Sequence, residues 1–159
     1  MTVTPPPTQS GFLSFVRNSM GISSTVLPDN SDAISTAFQV AIEIANILVN
    51  VVSPVIYTLM VYNLAGSNII NFAQDVGGPP PPVYKDDLPF FAYWRKFYGC
   101  TSFVGGTISS TSDDSTSESL NVPENLTKLT VADLQYLHDP WGRQYMSFAE
   151  KFGQVWALS

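Results

Sequence analysis

The chain has 159 residues, enough for one domain with a hydrophobic core, and its formal net charge of −6 argues against a nucleic-acid-binding surface. Charged residues make up only 13% of it, about half the share in an average globular domain, so much of its surface is expected to be covered in an assembly. An acidic wall does not prevent DNA from passing nearby, because it repels phosphate. The single cysteine, Cys100, excludes an intrachain disulfide scaffold.

Residues 1–30 predict an extended N-terminal arm that carries one short helix. The run Pro5–Pro7 favours an extended conformation, and Ser10–Met20 is a short amphipathic segment that Gly21 can end. The N-terminus has no charged segment and the apolar run that follows is short, so no signal peptide is expected.

The stretch Ser31–Asp75 contains no lysine or arginine and predicts two helices, 31–52 and 54–76, that meet at Ser53-Pro54. A serine stands at the start of each helix, where it is a good N-cap. The second helix carries a line of polar residues at helical spacing, and Gly66 within it predicts close packing against a neighbour. The polar line consists of Asn63, Ser67, Asn71 and Gln74.

The first of these helices is apolar on two sides. A narrow polar stripe runs along it at steps of three or four residues, with an apolar flank on either side. The stripe consists of Ser35, Gln39, Glu43, Asn46 and Asn50, the first flank of Ile34, Phe38, Ile42, Ala45, Val49 and Val52, and the second flank of Val40, Ile44, Ile47 and Val51. A soluble helix usually buries one face, so a membrane or copies of the same chain must help to cover this one.

The next segments predict a Pro-rich connector at 77–89, a short aromatic helix at Pro89–Cys100 and a Ser-rich loop or flexible hairpin at 103–123. The pair Arg95-Lys96 among aromatic residues could stack nucleic-acid bases, but a core face with a charged tip is favoured because the surroundings are acidic. The acids of the Ser-rich segment do not have the spacing of a calcium-binding loop, so no metal site is expected.

Asp139-Pro140 has the N-cap-plus-proline pattern and predicts a last helix, Pro140–Phe152, with an apolar stripe along one face. The stripe consists of Trp141, Tyr145, Phe148, Ala149 and Phe152. Residues 154–159 form a C-terminal tail with Val155, Trp156 and Leu158. Large apolar side chains on such a tail are typical of a docking peptide.

Catalytic chemistry is not indicated by this sequence. Cys100 and His138 are the only cysteine and histidine, and neither lies in a nucleophile motif. The two glycine pairs lack the GK[ST] of a phosphate-binding loop, and no cysteine–histidine cluster has zinc spacing. We therefore expect a protein that is not an enzyme and that uses no cofactor and no metal.

A membrane protein is the alternative to an assembly. The segment Ala37–Ala65 is long enough to span a bilayer, which favours a small pore-forming phage protein similar to a holin. Against this interpretation, Glu43 and Pro54 lie inside the segment, and no basic residue between Arg17 and Lys85 is present to set a topology.

Two motifs give the chain a resemblance to a known family. They are Gly106–Ser119 (GTISSTSDDSTSES) and Leu137–Tyr145 (LHDPWGRQY). Together with the preceding helical pair, they resemble the head–tail connector proteins of tailed bacteriophages, also called adaptor or head-completion proteins, over roughly Asn30–Phe152. The Pro-rich connector, the aromatic helix and the long N-terminal arm depart from the family pattern.

The resemblance implies a mainly α-helical protein, with a small helical-bundle domain at 31–153, a long Ser-rich loop or hairpin, and extended N- and C-terminal arms. It implies a structural virion protein that forms a homo-oligomeric ring, a dodecamer, beneath the portal and extends the DNA channel toward the tail, with roles in genome packaging and ejection. The expected partners are the portal protein, a tail or nozzle protein, and DNA that passes without specific binding, with no membrane. Such a protein is assembled in the host cytoplasm and resides at the head–tail interface of the virion.

The same resemblance implies two sets of contact residues. Portal docking is assigned to Val155, Trp156, Leu158, Tyr145 and Arg143, and contact between subunits is assigned to Ser109, Ser110, Ser112, Asp113 and Ser117. Arg143 is expected to form a salt bridge with a neighbouring subunit or the portal, although an ordinary solvated arginine fits this helix position equally well.

Overall fold

The computed structural model describes residues 6–76, 81–101, 110–113, 116–119 and 135–153. Within these ranges the chain forms six helices and one antiparallel hairpin, so the predicted mainly α-helical bundle is confirmed. The helices are α1 (Gln9–Asn18), α2 (Asp32–Ile44), α3 (Leu48–Val52), α4 (Pro54–Phe72), α5 (Phe90–Tyr98) and α6 (Pro140–Gly153), and the strands are β1 (Ser110–Asp113) and β2 (Thr116–Ser119).

The helix α4 is the centre of the bundle, because each of the other five helices packs against it. It begins as the sequence predicts, with the Ser53 hydroxyl accepting a hydrogen bond from the Ile56 N–H at 3.5 Å and with Pro54 in its first turn. More than half of its 19 residues are buried, on several sides of the helix. An apolar helix of this kind is stable only when neighbours surround it.

The short helix α1 is joined to α4 through its N-cap residue, Thr8. The Tyr62 hydroxyl donates to the Thr8 carbonyl and accepts from the Thr8 N–H, both at 3.2 Å. Gly11 makes this approach possible, since an added Cβ there would lie 2.2 Å from the Tyr62 hydroxyl oxygen. The apolar residues Phe12 and Val16 are fully buried, which confirms the predicted amphipathic helix.

Arg17 fixes the segment that links α1 to α2. Its guanidinium donates to the carbonyls of Ile22 at 2.8 Å and Leu27 at 2.6 Å, and it forms an ion pair with Asp29. The side chains of Ile22 and Leu27 are buried in the core. The segment between the two helices is therefore packed against the bundle.

The prediction of one continuous helix at 31–52 is wrong. The helix α2 ends at Ile44 because Ala45 adopts an extended conformation, with ψ of 132°. The Asn46 side-chain oxygen then accepts a hydrogen bond from the Leu48 N–H at 3.0 Å, and α3 follows. Asparagine competes with helical hydrogen bonding in this way, so one residue of the predicted polar stripe is the residue that supports the turn.

The predicted helix at 54–76 ends four residues early, at Phe72, because α4 and α5 cap each other. Arg95 of α5 donates to the carbonyl of Ile70 at 2.9 Å and to that of Ala73, at the C-terminus of α4. The Asp75 carboxylate accepts from the N–H groups of Phe91 at 2.7 Å and Ala92 at 3.2 Å, at the N-terminus of α5. Each charge lies at the helix end that it stabilises.

The aromatic helix α5 packs one face against the core and exposes the other, which agrees with the interpretation favoured from the sequence. Phe91 and Tyr93 are buried, whereas Lys96 and Phe97 are exposed. Burial lowers the pKa of Arg95, and the Asp75 charge opposes this effect. The Arg95 guanidinium is used for helix capping inside the bundle.

Close packing at Gly66 is confirmed, and the neighbour belongs to the same chain. A Cβ added to Gly66 would lie 3.1 Å from the Met20 sulfur and 3.5 Å from the Phe15 ring. The glycine thus lets α4 approach α1 and the residues that follow it.

Candidate interaction surfaces

A buried carboxylate attaches α6 to α4. Asp139 is 0% exposed and accepts three hydrogen bonds, from the Ser67 hydroxyl at 2.7 Å, the Asn71 amide at 3.1 Å and the Gly142 N–H at 2.8 Å. The first two donors belong to the polar line of α4, and the third lies in the first turn of α6. We call the contact formed by Ser67, Asn71, Asp139 and Gly142 the α4–α6 seam.

Gly142 has a steric role in this seam. A Cβ added at residue 142 would lie 2.1 Å from the backbone oxygen of Tyr136, and backbone cannot move aside as a flexible side chain can. Asp139 as N-cap, Pro140 in the first turn and Gly142 at the close approach therefore account for the motif Leu137–Tyr145 in structural terms.

The seam also determines the direction of α6. Asp139 contacts the C-terminal half of α4, and α4 ends only one residue after Asn71. The contact between α4 and α6 is the most extensive between helices, and the 14 residues of α6 span about 21 Å. The helix α6 can keep this contact only by running antiparallel to α4, so its C-terminal end lies toward the start of α4.

The residues predicted to dock on a portal occupy different environments. Tyr145 is 9% exposed and packs in the core, with its ring 5.8 Å from that of Tyr136. Arg143 is exposed on α6 and has no ion pair among the residues that the structure describes. Val155, Trp156 and Leu158 lie outside the described residues. Of the two that the structure describes, Arg143 lies on the surface and Tyr145 lies in the core.

Four of the residues predicted to contact a neighbouring subunit lie on the β1–β2 hairpin. Ser112 is directly opposite Ser117, Asp113 is opposite Thr116, and Ser110 is opposite Ser119. The Ser-rich segment is thus a hairpin over this range, one of the two forms predicted for it. Ser109 lies outside the described residues.

An exposed aliphatic surface lies where α2, α3 and α4 meet, and we call it the apolar end. It includes three of the four residues of the predicted second flank, and its most exposed member, Val51, is 82% accessible. Its members are Ile44, Ile47, Leu48, Val51, Val52 and Val55. Isolated exposed apolar residues are ordinary, but a contiguous set is typical of an interaction surface.

A groove lies between α2, over residues 32–40, and the C-terminal end of α4, and we call it the α2–α4 groove. Its volume is about 420 Å³ and its walls are mainly apolar. The lining residues are Asp32, Ala33, Thr36, Ala37, Val40, Asn68, Ile69, Phe72 and Ala73. Val40 and Phe72 at its edge are themselves exposed, so this surface also has no partner among the residues that the structure describes.

The chemically reactive residues do not form a catalytic arrangement in the described part of the chain. Burial raises the pKa of the Cys100 thiol, the Asp139 charge adds to this effect, and a raised pKa disfavours the nucleophilic thiolate. His138 lies in the turn before α6, where its N–H donates to the Gln135 carbonyl at 3.2 Å. Among the described residues no three His, Cys, Asp or Glu side chains are grouped as metal ligands.

No helix in the described ranges combines the length and the hydropathy needed to cross a membrane. Comparison of the chain with protein-family models, with curated proteins and with solved structures gave no match.

Proposed function

We propose that this chain is a non-enzymatic structural subunit of a tailed-phage virion, a ring-forming adaptor that docks on the portal and extends the DNA channel toward the tail. The observation that carries the proposal is the apolar end. Its six aliphatic residues lose favourable burial as long as the chain is alone, at about 0.8 kcal/mol for each CH₂ group left in water. Packing against copies of the same chain removes this cost.

The charge distribution supports the same proposal. The segment from α2 to α4 contains no lysine or arginine, and the whole chain carries a formal net charge of −6. Such a subunit presents few cations to DNA phosphates, so a channel built from it lets DNA slide without binding.

The motif Leu137–Tyr145 supports the proposal because its residues have two separate roles, one in the fold and one on the surface. Asp139, Pro140 and Gly142 build the start of α6 and its contact with α4, while Arg143 remains on the surface. An exposed arginine at a fixed position on a rigid helix is well suited to a carboxylate on a partner. In this proposal the partner is a neighbouring subunit or the portal, and the tail residues Val155, Trp156 and Leu158 dock beside it.

The test is expression without detergent, followed by size-exclusion chromatography with light scattering. One part of the sample is mixed with the portal protein encoded by the same genome. Co-elution with portal rings is expected, and deletion of Gln154–Ser159 is expected to abolish it while the circular dichroism spectrum stays unchanged. A chain that is found only in the membrane fraction and needs detergent contradicts the adaptor and favours the pore-forming alternative. Normal portal binding by the truncated chain contradicts the role of the tail.

A further inference from the structure

The C-terminal tail, residues 154–159, begins at the same end of the bundle as the apolar end. The helix α6 leaves the seam beside Ser67 and runs about 21 Å toward the start of α4. The stretch of α4 from Ser67 back to Val55 spans about 18 Å. Gly153, the last residue of α6, therefore lies about level with Val55 along α4, and the tail follows directly after it.

The length of the tail favours the apolar end of a neighbouring copy over that of the same chain. A tail of this length reaches at most about 20 Å when it is fully extended. At about 100° per residue, Val55 is turned about 120° around α4 from Ser67, which faces α6. The tail of the same chain would use most of its length in passing around α4, whereas the tail of a neighbour can approach the apolar end directly.

The tail and the apolar end have the same apolar chemistry. The tail carries no charged side chain, and three of its residues are large and apolar, Val155, Trp156 and Leu158. The apolar end consists of exposed aliphatic side chains around the helix α3. Packing the tail on this surface removes apolar area from water on both partners.

Charge complementarity also favours this contact. Lys151 is exposed in the last turn of α6, three residues before the tail, and makes no ion pair among the described residues. Glu43 is exposed and precedes Ile44 of the apolar end. The sequence has no lysine or arginine between Arg17 and Lys85 that could neutralise Glu43 locally. A tail that lies on the apolar end of a neighbour brings the ammonium group of Lys151 toward this carboxylate.

From these observations we infer that the C-terminal tail of one copy of this chain packs on the apolar end of a neighbouring copy, with Lys151 facing Glu43 of that copy. The inference deepens the proposed function and rests on it in one respect, that the assembly contains copies of this chain. Because the tail and the apolar end lie at the same end of the bundle, neighbours can stand side by side in one orientation, as the subunits of a ring do. The contact joins two different surfaces, so it can repeat from copy to copy.

Two variants each remove one side of the contact. Val51→Glu places a charge in the apolar end, at a side chain that is 82% accessible, so the fold is retained. The tail variant combines Val155→Ser, Trp156→Ser and Leu158→Ser. Each variant is expected to raise the dissociation constant for self-association at least about 100-fold, because the first buries an unpaired charge and the second loses the apolar anchors.

The decisive measurement is sedimentation velocity on an equimolar mixture of Val51→Glu and the tail variant. Each variant keeps the surface that the other has lost, so the mixture is expected to form a two-chain species although each variant alone is monomeric. The matched controls, Ser14→Glu on the exposed side of α1 and Gln154→Ala in the tail, are expected to assemble like the wild type.

Three results of this measurement overturn the inference. The first is a mixture that stays monomeric. The second is a tail variant that self-associates as strongly as the wild type or more strongly, since the tail then covers the apolar end of its own chain or the copies meet elsewhere. The third is a wild type that stays monomeric at every concentration.

Charge reversal tests how the tail is oriented on the neighbour. Glu43→Lys and Lys151→Glu each bring like charges together and are expected to raise the dissociation constant about three- to tenfold. The double variant restores an opposite pair and is expected to recover most of the affinity. A double variant without recovery overturns the inference that Lys151 faces Glu43.

Portal rings added to the same samples separate this inference from the proposed function. Wild-type chains whose tails pack on neighbours but that do not bind portal rings leave the inference intact and contradict the adaptor. Two copies that exchange tails and stop there contradict the ring and retain the contact. Portal binding by a wild type whose self-association depends on neither Val51 nor the tail supports the adaptor and overturns the inference.

Discussion

The α4–α6 seam and the apolar end use opposite ends of one helix, α4, in opposite ways. At the seam, a buried carboxylate is surrounded by donors from two helices, and the polar line of α4 faces inward. At the apolar end, aliphatic side chains face solvent with no partner from the described part of the same chain. Polar side chains are thus buried near the C-terminal end of α4, whereas aliphatic side chains beside its N-terminal end, most of them on α2 and α3, are exposed.

This difference indicates which region supports the fold and which supports assembly. Donors matched to an acceptor at the seam fix α6 in one position on α4, because a buried polar group without its partner is costly. Exposed aliphatic residues at the apolar end contribute little to the fold of one chain, since they remain in water. Substitutions in the two regions should therefore have separate consequences, and four measurements test this separation.

The largest effect is expected from Asp139→Ala. The change removes the N-cap of α6 and leaves the Ser67 hydroxyl and the Asn71 amide without their buried acceptor. The free energy of unfolding should fall by about 3–4 kcal/mol, as measured by urea denaturation at fixed protein concentration. Asp139→Asn keeps one acceptor oxygen and should lose about half as much. A loss below about 0.5 kcal/mol for the alanine variant would refute the seam as the anchor of α6.

The second effect distinguishes two glycines that both lie at close approaches. Gly142→Ala forces a Cβ against the backbone of Tyr136, so a loss of about 2–3 kcal/mol in unfolding free energy is expected. Gly66→Ala meets the flexible Met20 side chain, and the better helix propensity of alanine offsets the displacement, so a change within about 1 kcal/mol is expected. If the two variants lost equal unfolding free energy, a Cβ against the backbone at residue 142 would be no more destabilising than a Cβ against a flexible side chain at residue 66.

A third measurement uses pH. Burial and the nearby Asp139 charge raise the pKa values of the Cys100 thiol and the Tyr98 phenol in the folded chain. Both groups are neutral when protonated, so the folded state holds their protons more tightly than the unfolded state. Their contribution to stability is complete below the unfolded pKa values and is lost as pH rises through the folded ones.

The stability of the wild type should accordingly decrease as pH rises above the ordinary thiol value of 9.0. Cys100→Ala should weaken this dependence, because the thiol no longer titrates. Thermal unfolding at several alkaline pH values measures the effect. An identical pH dependence in the two proteins would exclude the thiol as a contributor.

The smallest effect on folding is expected at the apolar end. The double change Val51→Ser and Val52→Ser should alter the unfolding free energy of the single chain by less than about 0.5 kcal/mol, because both side chains are already exposed. The same change should weaken self-association, which analytical ultracentrifugation measures. A large loss of unfolding free energy in dilute, monomeric protein would show that these residues support the fold of the single chain. The apolar end would then not differ from the seam in this respect.

Much of the fold could be predicted from local signals. Ser53-Pro54 and Asp139-Pro140 mark the starts of α4 and α6, and Gly66 indicates a close approach. The break after Ile44 was missed because the apolar pattern continues through it, whereas the turn depends on one side-chain hydrogen bond of Asn46. Hydrophobic periodicity indicates which residues share a face of a helix. It does not indicate where one side chain, such as that of Asn46, replaces a helical hydrogen bond with its own.

The candidate surfaces were only partly predictable. The second flank was identified from the sequence as needing cover, and its residues are exposed in the structure. The role of Ser67 and Asn71 at the seam was not foreseen, although their helical spacing and the later N-cap Asp139 are visible in the sequence. Their partner is about 70 residues away along the chain, and no local pattern specifies which distant acceptor a polar line will meet.

The hydrogen bonds and the ion pair of the Arg17 side chain have a consequence for proteolysis. Arg17 is the only trypsin site before Lys85, and its guanidinium is held by two carbonyls and Asp29. Trypsin must bind that guanidinium in its own pocket, so cleavage there requires α1 to detach and the following segment to open. Lys85 lies in an exposed turn, where its ammonium group contacts the Tyr93 ring at 5.2 Å from the ring centroid and makes no ion pair among the described residues. Brief digestion should therefore cut after Lys85 sooner than after Arg17, and the rate of cutting after Arg17 reports how often the bundle opens at its N-terminal side.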